Sequence, residues 1–240
     1  ARGGAVVSVA ARNEAQVVEV AATIREAGRE AFAFRCDVTD QRQVRDMVQS
    51  AREAMGRVDI LVNNAGTANS NPLSRVTLTE WRHVMEVNVT GTFLCTQAAY
   101  EPMVQGGWGR IVNVASVAGL RGDKYVTAYT AAKHAVVGFT RSLAEELRGS
   151  GVTVNAVCPG FVDTPLTEET LTRIMRHTEI SREEALTALL RQAGQSRLIR
   201  AEEVADRIVA LCQDDAAHRT GEAVVIDRND AQHDQEGPAA

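Results

Sequence analysis

The chain reads as one α/β domain built on a doubly wound parallel sheet, and three observations predict it. Short apolar runs rich in Val, Ile and Ala recur without a polar face: "AVVSVAA", "ILVN", "RIVNV", "VTVNAVC" and "EAVVI". Strands of that kind are covered on both sides, as in parallel sheets. Stretches with apolar residues at helical spacing separate them, and cap or turn residues mark the junctions. With 240 residues and 45% hydrophobic content, the chain can bury one sizeable core.

Taken in order, Gly4 to Ala11 forms a buried strand. The stretch "RNEAQVVEVAATIREAG" follows as a helix with Val17, Val20, Ala21 and Ile24 on one face and a stop at Gly28. "EAFAFRCDV" is the next strand. "TDQRQVRDMVQSAREAMG" opens with Thr/Asp capping chemistry and closes on Gly56. "VDILVNNAG" is an apolar strand ending in a turn. A helix from about 79 to 104, the strand "RIVNVAS", a helix from about 128 to 148 and the strand "VTVNAVCPG" continue the alternation. A helix over 201–213 and the strand "EAVVID" complete it at Asp227, so the domain runs 1–227. Residues 165–199 interrupt the pattern as a polar, helical insertion placed like a substrate lid, and "RNDAQHDQEGPAA" (228–240) is a charged tail without periodicity.

Composition excludes several classes of function. The net charge of -5 and the lack of a Lys/Arg block give no basic footprint for nucleic acid or anionic membrane. The apolar runs fall far short of the roughly 20 residues of a membrane span, and no signal peptide is evident, so the expectation is a cytoplasmic protein. Cys36, Cys95, Cys158 and Cys212 are scattered without a C-x-x-C pair or a His at ligand spacing, so no metal site is expected.

In doubly wound sheets ligands bind beyond the carboxyl ends of the strands. Arg12, Asp37, Asn64-Ala65-Gly66, Ser116 and Pro159-Gly160 all stand there. The run "YTAAK" places Tyr129 and Lys133 four positions apart. On a helix these lie on one face about 6 Å apart along the axis, so both heads reach one spot. A phenol with an ordinary pKa of about 10 becomes more acidic beside a cation, which makes Tyr129 a candidate general acid/base.

"NNAG" after a strand, Asn88 in "NVTG" on the following helix, Ser116 at a strand end and "YTAAK" thirteen residues later together resemble the short-chain dehydrogenase/reductase family, over essentially Gly4 to Asp227. The resemblance implies a Rossmann-like fold and hydride transfer between NADP(H) or NAD(H) and a carbonyl or secondary alcohol. It implies that Tyr129 donates a proton to the substrate oxygen and that Ser116 donates a hydrogen bond to the same atom. Lys133 would hold the nicotinamide ribose, and Asn88 would hold the helix open around a water that relays protons. Asp37 and Val38 resemble an adenine clamp, although Asp37 also suits a helix N-terminus. Asn64, Ala65 and Gly66 would approach the adenosine ribose, and Pro159, Gly160, Val162 and Thr164 resemble the nicotinamide loop. Where NAD(H) enzymes place an acid for the ribose 2'-hydroxyl, this chain has Ala11 followed by Arg12, which favours NADP(H); the alternative is an Arg12 that faces water.

The chain departs from the family at both ends. A Gly-rich T-G-x-x-x-G-x-G turn and the strand before it have no counterpart. The expectation is therefore that a strand and helix of about 25 to 30 residues, central in the sheet, are missing. After "VVID" the family commonly has a Gly pair, whereas Arg228 and Asn229 stand here. The stretch "CPGFVDTPL" and the insertion resemble ketoreductases acting on 3-oxoacyl thioesters, in which Arg173, Arg176, Arg182 and Arg191 could face a phosphate; the alternative for each is a solvated helix face. A steroid, polyol or aromatic ketone is the runner-up substrate. A non-catalytic binding protein is the reading from another class. Apolar residues on more than one face of the 79–104 and 128–148 helices predict a homo-oligomer, dimer or tetramer.

Overall fold

The computed structural model describes residues 1 and 3–226, so the 228–240 tail and Asp227 lie outside the described residues. Among the described residues, six parallel strands alternate with eight α-helices. Strand β1 is Val7–Ala11, β2 is Ala31–Arg35, β3 is Ile60–Asn63, β4 is Gly109–Val114, β5 is Val152–Pro159 and β6 is Ala223–Ile226. Helices α1 (Glu14–Glu26) and α2 (Gln41–Met55) cross from one strand to the next. Asn13 and Asp40 cap them by accepting from main-chain N–H groups of the first turn, so the α2 cap is Asp40 rather than Asp37. Val17 and Ala21 are buried as the spacing predicts, whereas Val20 is 46% exposed. Helix α1 covers only the narrow β1–β2 pair, and that pair offers too little width to bury a wider stripe.

The strands form two sheets, β1-β2 and β3-β4-β5-β6, rather than the single continuous sheet that plain alternation suggests. The break falls between β1 and β3, the position in the strand order at which the sequence reading expects a further central strand. Ile60 and Val62 of β3 remain 37% and 39% exposed. The larger sheet is covered on both sides. Ile111 and Val154 pack with Ala99, Met103, Leu143 and Val48 from α2, α4 (Gly91–Gly106) and α5 (Thr127–Glu146). Val112, Val157 and Ile226 pack oppositely with Leu211 of α8 (Ala201–Leu211). Each such fully buried aliphatic side chain stabilises by about 1.5–3 kcal/mol. The 79–104 stretch is not one helix: α3 (Leu78–Met85) passes through a π turn, Glu86–Thr90, into α4. The 165–199 insertion is helical, as α6 (Pro165–Thr178) and α7 (Arg182–Ala193).

A polar chain crosses this apolar interior. Asn63 and Asn113 stand opposite each other in the β3–β4 register. The Asn63 amide donates to Asn113 Oδ1 at 2.8 Å and to Thr96 Oγ1 of α4 at 3.0 Å. Asn113 Nδ2 donates to Thr140 Oγ1 of α5 at 2.8 Å, and Thr140 donates to the Val136 carbonyl at 2.8 Å. Asn63, Thr96, Asn113 and Thr140 are all buried, so removing one partner strands another without water. Asn113→Leu is therefore expected to lower the unfolding free energy by about 2–4 kcal/mol. Denaturant titration checks this, and the same substitution at exposed Asn64 should change it by less than about 0.5 kcal/mol.

Candidate active site

The end of β4 and the first turn of α5 meet. Ser116 follows β4, is 8% exposed and caps a short 3-10 turn, Val117–Gly119, by accepting from the Ala118 N–H at 3.1 Å. Its hydroxyl also lies 3.4 Å from the Pro159 carbonyl, to which it donates, and it neighbours Tyr129, whose phenol it helps to acidify. Lys133 is 5% exposed; its Nζ donates to the Val114 carbonyl at 2.8 Å and sits 5.6 Å from the centre of the Tyr129 ring.

The electrostatics differ from what the Tyr129–Lys133 spacing predicts. Burial raises the Tyr129 phenol above its ordinary value, and the neighbouring Ser116 hydroxyl opposes that only in part. Burial likewise pulls the Lys133 ammonium down to about 8. The cation that should acidify the phenol is itself disfavoured, and its proton is directed at the Val114 carbonyl. Tyr129 is thus a protonated donor at neutral pH.

Asn88 lies inside the π turn between α3 and α4. Its Nδ2 donates to the carbonyls of Thr67 at 2.8 Å and Val84 at 2.9 Å, while its buried Oδ1 has no partner. A π turn widens the helix and frees a side chain to enter it. Gly66 fits against this place. A Cβ there would lie 3.0 Å from Asn88 Oδ1 and 3.6 Å from Lys133 Nζ, so Asn88, Lys133 and the "NNAG" turn share one small volume.

The remaining strand ends group as follows. The exposed Arg12, after β1, faces Asp37, after β2, closely enough that its charge helps hold the carboxyl below the usual range. The larger cause is the Thr39 N–H donating to Asp37 Oδ1 at 3.0 Å. Val38 packs with Cys36, Val44, Leu94 and Cys95. Asn64 and Ala65 are exposed between β3 and Gly66. Beyond β5, Pro159 and Gly160 lead to Val162, which bridges to Ile199, and to Thr164, which starts α6 with its hydroxyl turned to the Val162 carbonyl at 3.3 Å. Of the lid arginines, Arg182 is tied within the lid to Glu168, which leaves it less available to a phosphate than its spacing suggests.

Residues 1–174 match the family model for short chain dehydrogenases. The chain belongs to the short-chain dehydrogenase family. A D-beta-hydroxybutyrate dehydrogenase of Rhizobium meliloti is 37% identical over 80% of this chain and 74% of its own. A 3-oxoacyl-acyl-carrier-protein reductase of Thermotoga maritima is 38% identical over 80% of this chain and 73% of its own. Among solved structures, a single-residue variant of the actinorhodin polyketide ketoreductase with NADPH superposes with a TM-score of 0.91 at 36% identity, over 95% of this chain and 88% of that one. This short-chain dehydrogenase is an NAD(P)-dependent oxidoreductase. Among its described residues no helix is long and apolar enough to cross a membrane.

Sequence reasoning missed the support behind this dehydrogenase site. Asn63 and Asn113 are the polar interruptions at the ends of "ILVN" and "RIVN", and a polar residue at the same register of two apolar strands was the available signal. Cys158, also buried, carries a thiol pushed up to about 11 mainly by burial, which makes it an inert packing group beside Lys133.

Lysine burial has a consequence for stability. Folded Lys133 loses its proton near 8, whereas the unfolded side chain holds it to 10.5. Between those values the unfolded state binds more protons, so the unfolding free energy rises with pH. Above pH 10 the raised Tyr129 pKa works in the opposite sense, because the unfolded phenol ionises first. Lys133→Met should flatten the rise between pH 8 and 10, by on the order of 2 kcal/mol, as read from urea unfolding at about pH 7, 8.5 and 10.

Proposed function

We propose that this protein transfers hydride between NADP(H) and the 3-position of a 3-oxoacyl or 3-hydroxyacyl thioester, acting as a ketoreductase. The observation that carries the reading is the meeting of the buried Ser116 with the half-buried Tyr129, with the buried Lys133 amine 5.6 Å from the Tyr129 ring centre. Two hydroxyl donors converging on one point suit a carbonyl oxygen on which negative charge develops. Tyr129, protonated at neutral pH, gives its proton to that oxygen, and Ser116 donates a second hydrogen bond. The names of the ketoreductase with NADPH and of the 3-oxoacyl reductase support the substrate class and the cofactor.

The residues present fit a nicotinamide dinucleotide. When bound, that cofactor supplies or accepts the hydride. The orphan Oδ1 of Asn88 and the amine of Lys133 border Gly66, where a water held by Asn88 would return a proton through Lys133 to Tyr129. Lys133 also holds the nicotinamide ribose. Asn64, Ala65 and Gly66 admit the adenosine ribose, Asp37 and Val38 hold the adenine, and Pro159, Gly160, Val162 and Thr164 form the nicotinamide loop. Arg12, the cation facing Asp37 across this end, meets a ribose 2'-phosphate and selects NADP(H). β1 and β3 are not paired with each other, and their edges are where a further parallel strand with a Gly-rich turn for the pyrophosphate is expected.

The protein works as a cytoplasmic homo-oligomer paired through α4 and α5. Phe93 of α4 is 43% exposed and stands edge-on to Phe139 of α5 at 6.5 Å, an apolar surface that a second copy would cover.

Tyr129→Phe should lower kcat with NADPH and a 3-oxoacyl thioester by at least about a hundredfold while leaving NADPH affinity within a factor of about three; undiminished turnover would remove Tyr129 from the mechanism. Arg12→Asp should move the ratio of kcat/KM for NADPH over NADH toward NADH by roughly ten- to a hundredfold, since one charge-assisted contact becomes a repulsion. An unchanged ratio would assign cofactor choice elsewhere.

A further inference from the structure

The lid leaves and rejoins the domain through two segments that run side by side. It departs after β5 through residues 160–164 and returns after α7 through residues 195–199. Val162 and Ile199 form a parallel bridge. The Ile199 N–H donates to the Phe161 carbonyl at 2.9 Å, and the Asp163 N–H donates to the Ile199 carbonyl at 2.8 Å. Ile199 belongs to the buried cluster with Val112 and Val157, so the returning segment is rooted in the core of the main sheet.

Gln195 adds a hold that the main chain does not supply. Its Oε1 accepts from the Phe161 N–H at 2.8 Å, and its Nε2 donates to the Phe161 carbonyl at 3.3 Å and to the Arg197 carbonyl at 3.4 Å. One planar amide therefore pairs both main-chain groups of Phe161, as a neighbouring strand would. The approach is possible because residue 160 is glycine: a Cβ there would lie 2.5 Å from Gln195 Oε1 and 2.8 Å from its Cδ. The obstacle is the far end of a flexible side chain, so a methyl group at 160 would expel the amide and leave the fold in place. The side chain of Phe161, in turn, packs on Leu171, Ala185 and Leu189, the buried centre of the lid. At the exit of α7, Arg121 Nη2 donates to the Ala193 carbonyl at 3.2 Å, linking the same end of the lid to the loop between Ser116 and Tyr129.

We propose that Gln195 is a positioning residue for hydride transfer: it fixes the main chain at Gly160 and Phe161, on which the nicotinamide end rests, and locks it to the seated lid. This assignment depends on the cofactor placement proposed above. Its physical basis is the sensitivity of hydride transfer to distance, where a displacement of about 1 Å at a supporting group can cost up to roughly a hundredfold. Gln195 touches neither substrate nor the reacting atoms. It acts through Phe161.

Gln195→Leu keeps the approximate length of the side chain and deletes its hydrogen bonds. In the cofactor-free protein, amide exchange over residues 160–164 and both lid helices should quicken at least about tenfold, while β4 and α5 keep their protection. With NADPH and a 3-oxoacyl thioester, kcat should fall about tenfold while the thioester KM changes less than about twofold, because Ser116 and Tyr129 are undisturbed. Gly160→Ala should reproduce that loss in the wild-type background and add nothing to Gln195→Ala, where no amide remains to be expelled. Unchanged exchange at 160–164 in Gln195→Leu overturns the hold on Phe161. Faster exchange with unaltered kcat overturns the positioning role and leaves a purely structural one. Additive losses in the double variant overturn the pairing of Gly160 with Gln195. A wild-type protein that neither binds nor oxidises NADPH overturns the cofactor reading and with it the role in hydride transfer, whereas the exchange result decides the hold on Phe161 independently.

Discussion

The hydrogen-bond chain from Thr96 through Asn63 and Asn113 to Thr140 is the constraint on which the rest of the site depends. It joins the carboxyl ends of two adjacent strands to two helices, one reached through the π turn that holds Asn88 and the other carrying Tyr129 and Lys133. Apolar packing alone would leave those helices free to slide by a fraction of a turn at little cost, because aliphatic contacts are not directional. Buried amides and hydroxyls are directional, and each unpaired group in so dry a place carries a penalty of about 1–3 kcal/mol. The polar chain therefore sets the register in which Ser116, Tyr129, Lys133 and Asn88 come together.

Burial then decides the chemistry at that meeting point. The lysine is depressed and the tyrosine raised for the same reason, since a low-dielectric surrounding penalises both charged forms. This leaves a neutral hydroxyl donor beside an amine poised near physiological pH. Such a pairing suits transfer of a proton in either direction better than a phenolate already formed would. The unpartnered oxygen of Asn88 extends the arrangement inward, since a buried acceptor of this kind calls for a hydrogen-bond donor such as water.

The β1–β2 pair and the lid are joined to the larger sheet by different means. The β1–β2 pair meets the larger sheet through α2 and the cluster of Cys36, Val44, Leu94 and Cys95 rather than through strand pairing. The lid is joined by main-chain pairing, the Gln195 amide and the packing of Phe161. The β1–β2 end thus depends on apolar packing and local charge, and the lid end on directional hydrogen bonds.

Much of this was legible in the sequence because it follows from local rules. Apolar runs and helical spacing determined the order of elements and put Arg12, Asp37, Gly66, Ser116 and Gly160 just beyond strand ends. The run "YTAAK" placed a phenol and an amine on one helix face. The direction of their pKa shifts was not legible, because spacing reports distance along a helix but not how much water remains around it. The Asn63–Asn113 pair and the Gln195–Phe161 contact needed the tertiary structure for a related reason. The contacts of Asn63 and Asn113 with each other, with Thr96 and with Thr140 span 27 to 50 residues, and that of Gln195 with Phe161 spans 34. Such contacts arise only once the strands have set a register that no single stretch of sequence encodes.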